Sequence, residues 1–366
     1  MNGKTYYLSA NTGGGYVSFF DDVITSYKRI IVIKNAPPEY KKSIFNKIKN
    51  ILDKENLVYD NIIRSGTENE TDALLIDFPS AVIADENIIT GEIPLHADII
   101  DFINILACDC DEKKNLAFLQ NKTERLKRKM ISHLSDAKKI HDEWEKIYIS
   151  NLDFDKINTQ AEKIISDIFS GIPDKTAVSD DCNRFFGTLL PRGNINYINE
   201  LTKDFNKRIF IKGRPGTGKS TILKKFKEYA KKKGYNTETY YCSLDTKSLD
   251  MVIVREIGLA FFDSTSPHEM MPVYDSDTVF NVYEIGKKTN IDEYYSDELM
   301  IISNKYNDEI KKAKECLYTM LALREETSKI IKLTNEDLDD VTNRIISMAS
   351  IKKQAEPAPM SRAKTH

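Results

Sequence analysis

The stretch Asn206-Lys-Arg-Ile-Phe-Ile-Lys-Gly-Arg-Pro-Gly-Thr-Gly-Lys-Ser-Thr221 joins a short apolar run to a glycine-rich turn. Ile209, Phe210 and Ile211 have the pattern of a buried strand, and Leu223, Phe226 and Ala230 recur at helical spacing beyond the turn. Between them, residues 213–220 satisfy G-x-x-x-x-G-K-[ST] at every required position. The residue types have a physical reading. Glycines let the backbone curl around phosphate oxygens, and successive N–H groups with a helix N-terminus favour an anion. Gly213, Arg214, Pro215, Gly216, Thr217, Gly218, Lys219, Ser220 and Thr221 are therefore the expected ATP-binding residues. Lys219 would reach the β- and γ-phosphates, and Ser220 would ligate Mg2+.

Subtracting 178 from the number of Lys219 leads to Lys41, and the same offset pairs a series of other residues without gaps. Gly15 falls on Gly193, Ile31 on Ile209, Ile33 on Ile211, Pro37 on Pro215, Ile44 on Ile222, Ser65 on Ser243, Asp72 on Asp250 and Asp85 on Asp263. These matches lie in the strand, the loop, the first helix and a later carboxylate, which is the signature of a duplicated unit. The first copy has Asn35-Ala-Pro-Pro38-Glu-Tyr40-Lys41-Lys42 where the second has its glycine loop. Pro38 removes a donor, Tyr40 stands at a glycine position and Lys42 replaces the hydroxyl. The first copy is expected to keep the fold and lose the nucleotide.

Residues 236–243 read as a second strand and 258–263 as a buried strand ending in Asp263. Strands alternating with helices predict parallel sheets with covered faces. From Leu116 to Ile147, apolar positions fall in two heptad rows, one through Leu116, Thr123, Met130, Ala137 and Trp144, the other through Leu119, Leu126, His133, Ile140 and Ile147. The spacing predicts a long coiled-coil-like helix. A similar segment runs from about Leu299 to Ile331.

The expected fold is thus α/β, two tandem P-loop NTPase-like parallel-sheet domains, each with a long helical extension. The first spans residues 1–178 with its extension at about 112–170, the second 179–350 with its extension at about 296–350, and 351–366 form a disordered tail. At 366 residues, 41% hydrophobic and 30% charged, the chain suits a soluble protein of two sizeable cores. No apolar run approaches a membrane span, and the start lacks an apolar signal region, so a cytoplasmic location is expected. A net charge of −3 gives no argument for nucleic acid, and the basic cluster Lys122, Arg125, Lys127, Arg128 and Lys129 reads as a solvated helix face. Five cysteines fit no disulfide framework, and His96 with Cys108-Asp-Cys110 lacks the spacing of a zinc site.

With the duplication, the loop and the motifs Cys242-Ser243-Leu244-Asp245, Ser248-Leu249-Asp250 and Asp263-Ser264-Thr265-Ser266-Pro267-His268 in view, the chain resembles a little-characterised family of tandem P-loop ATPases with helical extensions. The resemblance covers about residues 5–350. It departs from the family pattern at Ser264 and Ser266, where glycine and alanine are usual, and at Met251, where a glycine follows the aspartate. It implies ATP binding and hydrolysis and brings no known substrate.

Asp263 is the expected magnesium-side carboxylate, with capping of the following turn as its alternative role. Many ATPases place a glutamate directly after that aspartate to orient water, whereas Ser264 stands here, which predicts slow hydrolysis or a group supplied from elsewhere. Lys219, Asp263, Asp245 and His268 form the candidate catalytic set, and Ser220 and Asp263 the metal set. Arg214 and Arg255 are candidates to offset phosphate charge. The functions expected are a Mg2+-dependent ATPase or nucleotide-driven switch whose helical extensions engage a protein partner. Alternatives are a nucleotide-binding scaffold without turnover, or a small-molecule or nucleotide kinase with a lid around Lys287-Lys288.

Overall fold

The computed structural model describes residues 3–104, 110–330 and 334–351. Residues 352–366, which make up nearly all of the expected disordered tail, lie outside them.

The first half contains β1 (Thr5–Tyr6), β2 (Ser9–Thr12), β3 (Gly15–Ser18), α1 (Phe20–Ile24), β4 (Arg29–Lys34), α2 (Pro38–Lys54), β5 (Tyr59–Ile63), β6 (Thr71–Ile76), β7 (Ala81–Asp85), β8 (Asp98–Asp101), α3 (Cys110–Ile149) and α4 (Phe154–Ile168). The second contains β9 (Asp181–Arg184), β10 (Gly187–Leu190), β11 (Gly193–Asn196), α5 (Ile198–Thr202), β12 (Lys207–Lys212), α6 (Lys219–Lys232), β13 (Thr237–Tyr241), β14 (Leu249–Val254), β15 (Leu259–Asp263), β16 (Thr278–Asn281), α7 (Val282–Gly286), α8 (Ile291–Tyr294), α9 (Ser296–Ile330) and α10 (Asn335–Met348). From β2 to β7, every element recurs in the second half in the register of the sequence repeat.

Each half builds one six-stranded sheet, ordered β1-β5-β6-β7-β4-β8 and β9-β13-β14-β15-β12-β16. The expectation of parallel sheets needs correction, because both are mixed. β4 runs parallel to β7 and β8, while β6 is antiparallel to both β5 and β7, and β14 likewise to β13 and β15. The cause is connection length. Residues 255–258 between β14 and β15 are too few for a crossover, so the chain turns back as a hairpin, with Gly258 at φ 61°. The strand that turns back is the fully buried apolar run Leu249–Val254, which the pattern of strands alternating with helices does not predict.

The apolar run in each loop-bearing strand is continuous because both of its faces are covered. Ile30 and Val32 point towards the other half, where they share a core with Phe210, Met251, Ile253, Ala260 and Phe262. Ile31 and Ile33 point the opposite way, onto α2. The two sheets therefore pack face to face with helices outside. On the near-symmetric axis between them, Tyr7 and Phe185, equivalent residues of the repeat, exchange backbone hydrogen bonds of 3.0 and 2.8 Å.

The helical extensions cross over. α3 and α9 pack antiparallel along each other, as the contacts His133–Glu309 (2.7 Å), Trp144–Tyr306 and Met130 with Cys316 and Leu317 show. Both heptad rows are at least partly buried along α3, with Trp144 and Ile147 packing on the core of the second half and Leu134 and Tyr148 buried beside them. Beyond α3, α4 docks on the second half, where Ile157, Ala161 and Ile165 join Ile209, Ile211, Leu223 and Phe226. Reciprocally, α10 of the second half inserts Leu338, Val341, Ile345 and Ile346 among Ile31, Ile33, Ile44 and Ile48 of the first. Each outer helical layer is completed by the other half's extension. No helix among the described residues is long and apolar enough to cross a membrane.

One buried ion pair marks an acid-sensitive point. The Arg208 guanidinium, 2% exposed, donates to both carboxylate oxygens of Asp277 at 2.8 and 2.6 Å. These bonds hold the Asp277 carboxyl down at about 2. A carboxyl whose folded value is depressed adds stability that is complete above its unfolded value, about 4, and lost as pH falls through the folded one. The denaturant midpoint is therefore expected to fall between about pH 4 and pH 2, and the double replacement Arg208→Met with Asp277→Leu should flatten that slope.

Candidate functional site

The glycine-rich loop follows β12 and ends where α6 begins. Gly216 and Gly218 have φ of 72° and 86°, in the left-handed region that glycine alone enters without strain. A Cβ on Gly213 would lie 2.5 Å from Thr217 Oγ1, so the first glycine is needed for close approach. Thr217 is buried and donates its hydroxyl to the Arg214 carbonyl at 2.7 Å. Lys219 folds back over the loop and donates to the same carbonyl at 2.9 Å, with Asp263 Oδ2 3.6 Å away. Ser220 Oγ accepts from the Leu249 N–H at 2.9 Å, which links the loop to β14. Thr221 lies on the rim of a groove of about 530 Å³ between α4 and α6.

Asp263, at the end of β15, caps the turn that follows and faces the loop lysine. Its Oδ1 accepts from the Thr265 N–H and hydroxyl at 2.9 and 2.6 Å, and its Oδ2 faces Lys219. Asp245 lies on the loop after β13, where it accepts from Lys247 N–H at 2.9 Å and pairs with Lys138 of α3 at 3.3 Å. His268 is enclosed. Its ring stands edge-on to Phe186 at 4.9 Å, its Nε2 is 3.8 Å from Asp250, and burial pushes its imidazole down to about 4. Arg214 is committed to Asp292, to which it donates at 2.9 and 3.1 Å. Arg255 is committed to Glu238 at 2.7 and 2.8 Å. Cys108 and the side chain of Cys110 lie outside the described residues.

Two groups outside the candidate set also meet the site. Asp250, in β14 beside Asp263, is buried, and burial together with the Asp263 charge pushes its carboxyl up to about 8. Its signal was the shared register of Asp72 and Asp250. The second group comes from the first half: Glu145 of α3 passes so close that a Cβ on Gly216 would meet its carbonyl oxygen at 2.7 Å, and Phe154 of α4 lies against Gly218. No local motif signals a contact made by a distant helix.

The equivalent place in the first half is closed by its own ions. Lys41 Nζ lies 2.9 and 2.7 Å from the two oxygens of Asp85. Arg64, where the second half has Cys242, donates to Asp85 and reaches Asp72 at 2.7 Å. Burial alone would raise the Asp85 carboxyl, but Arg64 and Lys41 hold it well below the usual carboxylate range. Arg324 of α9 joins through Glu70. Removing one partner from a buried pair leaves an uncompensated charge, so Arg64→Leu is expected to cost about 3–5 kcal/mol in urea unfolding. A loss below about 1 kcal/mol would show that the cluster is not what seals this site.

No known protein family, curated protein or solved structure matches this chain. The likeness to tandem P-loop ATPases rests on the motif residues alone.

Proposed function

We propose that residues 213–221 bind ATP with Mg2+, that the protein hydrolyses it, and that the first half serves as a non-binding partner whose helices follow the state of the loop. The observation that carries this reading is the contrast between the halves. In the first, Asp72 and Asp85 are neutralised by Arg64 and Lys41. In the second, Asp250 and Asp263 have Lys219 nearby and a cysteine in the place of the arginine.

A buried carboxylate and a partly exposed one, beside a serine hydroxyl and with a single lysine near them, suit a divalent cation, a hard ion that takes oxygen ligands. Ser220 and Asp263 would hold it, with Asp250 behind them. When bound, magnesium would offset charge on the phosphate oxygens. The kinase alternative has less support, since Lys287 is paired with Glu284 at 2.7 Å on the surface. Phosphate release from Mg-ATP alone separates these readings. Wild type is expected to release phosphate and Lys219→Ala to fall to background. Release only on addition of an acceptor would favour a kinase, and nucleotide binding without release a scaffold.

A further inference from the structure

The helix lying over the loop of the second half belongs to the first half. At its close approach to Gly216, α3 presents His141 and Glu145 one turn apart on the same face, with the His141 Nδ1 3.7 Å from Glu145 Oε1. The imidazole is held between Trp144 of its own helix and Tyr306 of α9, at ring distances of 6.4 and 6.0 Å. Burial lowers its pKa, with the Lys219 ammonium adding to this and Glu145 opposing it, which favours the neutral ring that can accept a proton. Asp142 also lies within 4.8 Å of both groups, but it is bound to Lys138 at 2.7 Å and is not free to complete a cation site.

We propose that His141 and Glu145 complete the phosphate site of the opposite half: His141 orients the attacking water and takes its proton, and Glu145 positions the imidazole. The proposal rests on reading residues 213–221 as an ATP site. In the reaction, the water oxygen bonds to the γ-phosphorus as the bond from that phosphorus to the bridging oxygen breaks. ADP leaves with that electron pair, the proton shed by water passes to His141, and the imidazolium then returns it to solvent. Two features of the chain favour this assignment. Ser264 stands where a water-orienting glutamate often follows the strand-end aspartate, which leaves that role open to a group from elsewhere in the chain. The helix that corresponds to α3, Ser296–Ile330, contains no histidine, and the half it crosses to has lost its loop glycines. The histidine and the intact loop occur together.

The test combines ATP titration with steady-state hydrolysis in the full chain. His141→Asn and His141→Gln are expected to lower kcat about 100-fold, the usual worth of a positioned proton acceptor, while the ATP dissociation constant stays within about threefold. Glu145→Gln, a change in a positioning residue, should lower kcat about tenfold with KM unchanged. Wild-type turnover in both His141 variants would overturn the proposal, as would wild-type protein that binds ATP and releases no phosphate. If either variant folds poorly, its nucleotide affinity reveals this, and the other variant decides. Failure of the wild type to bind ATP would instead refute the site assignment on which the proposal rests.

Discussion

Removal of residues 334–366 is expected to unfold the first half of the chain, although the excised helix follows the second half in sequence. α10 buries Leu338, Val341, Ile345 and Ile346 against α2 and the outer face of β4, and Ala349 and Ile351 continue the contact. A fully buried aliphatic side chain contributes about 1.5–3 kcal/mol, so withdrawing the five large ones costs roughly 8–15 kcal/mol as an upper bound. Whole domains are stable by about 5–15 kcal/mol, which leaves little margin. Hydrogen exchange in the truncated chain should show lost protection in β4 and α2 while α6, covered by α4, keeps more of its own. Equal protection of α2 in truncated and full chains would contradict the crossed arrangement.

The second large effect contrasts two lysines at equivalent positions. Lys41 is bound to Asp85 on both oxygens and is buried, so Lys41→Met should destabilise the protein and leave nucleotide binding unchanged. Lys219 donates to a loop carbonyl and stands 3.6 Å from Asp263, over the place the loop offers to phosphate. A unit charge at about 4 Å in a partly screened site is worth roughly 4 kcal/mol, so Lys219→Ala should weaken ATP binding by about three orders of magnitude. The same residue type thus serves structure in one half and ligand in the other. Thermal unfolding and nucleotide titration on both variants separate the two roles.

The strand, loop and helix around Lys219 were legible in the sequence, because a buried strand, positive-φ glycines and an amphipathic helix each leave a local pattern. The repeat was legible for the same reason, and equivalent strands keep its register. β14 was not, since its apolar run sits close to that of β15 and its direction depends on the length of the connection between them. Nor was the crossing of α4 and α10, because heptads announce that a helix will pack without saying against what. His141 and Glu145 shared this fate. They lie in a stretch whose local pattern announces only a long helix, and they meet the loop through the crossover.

The most direct measurement is calorimetric titration of the full chain with Mg-ATP. One site per chain is expected, lost in Lys219→Ala and retained in Lys41→Met. Two sites per chain, or binding that survives Lys219→Ala unchanged, would contradict it.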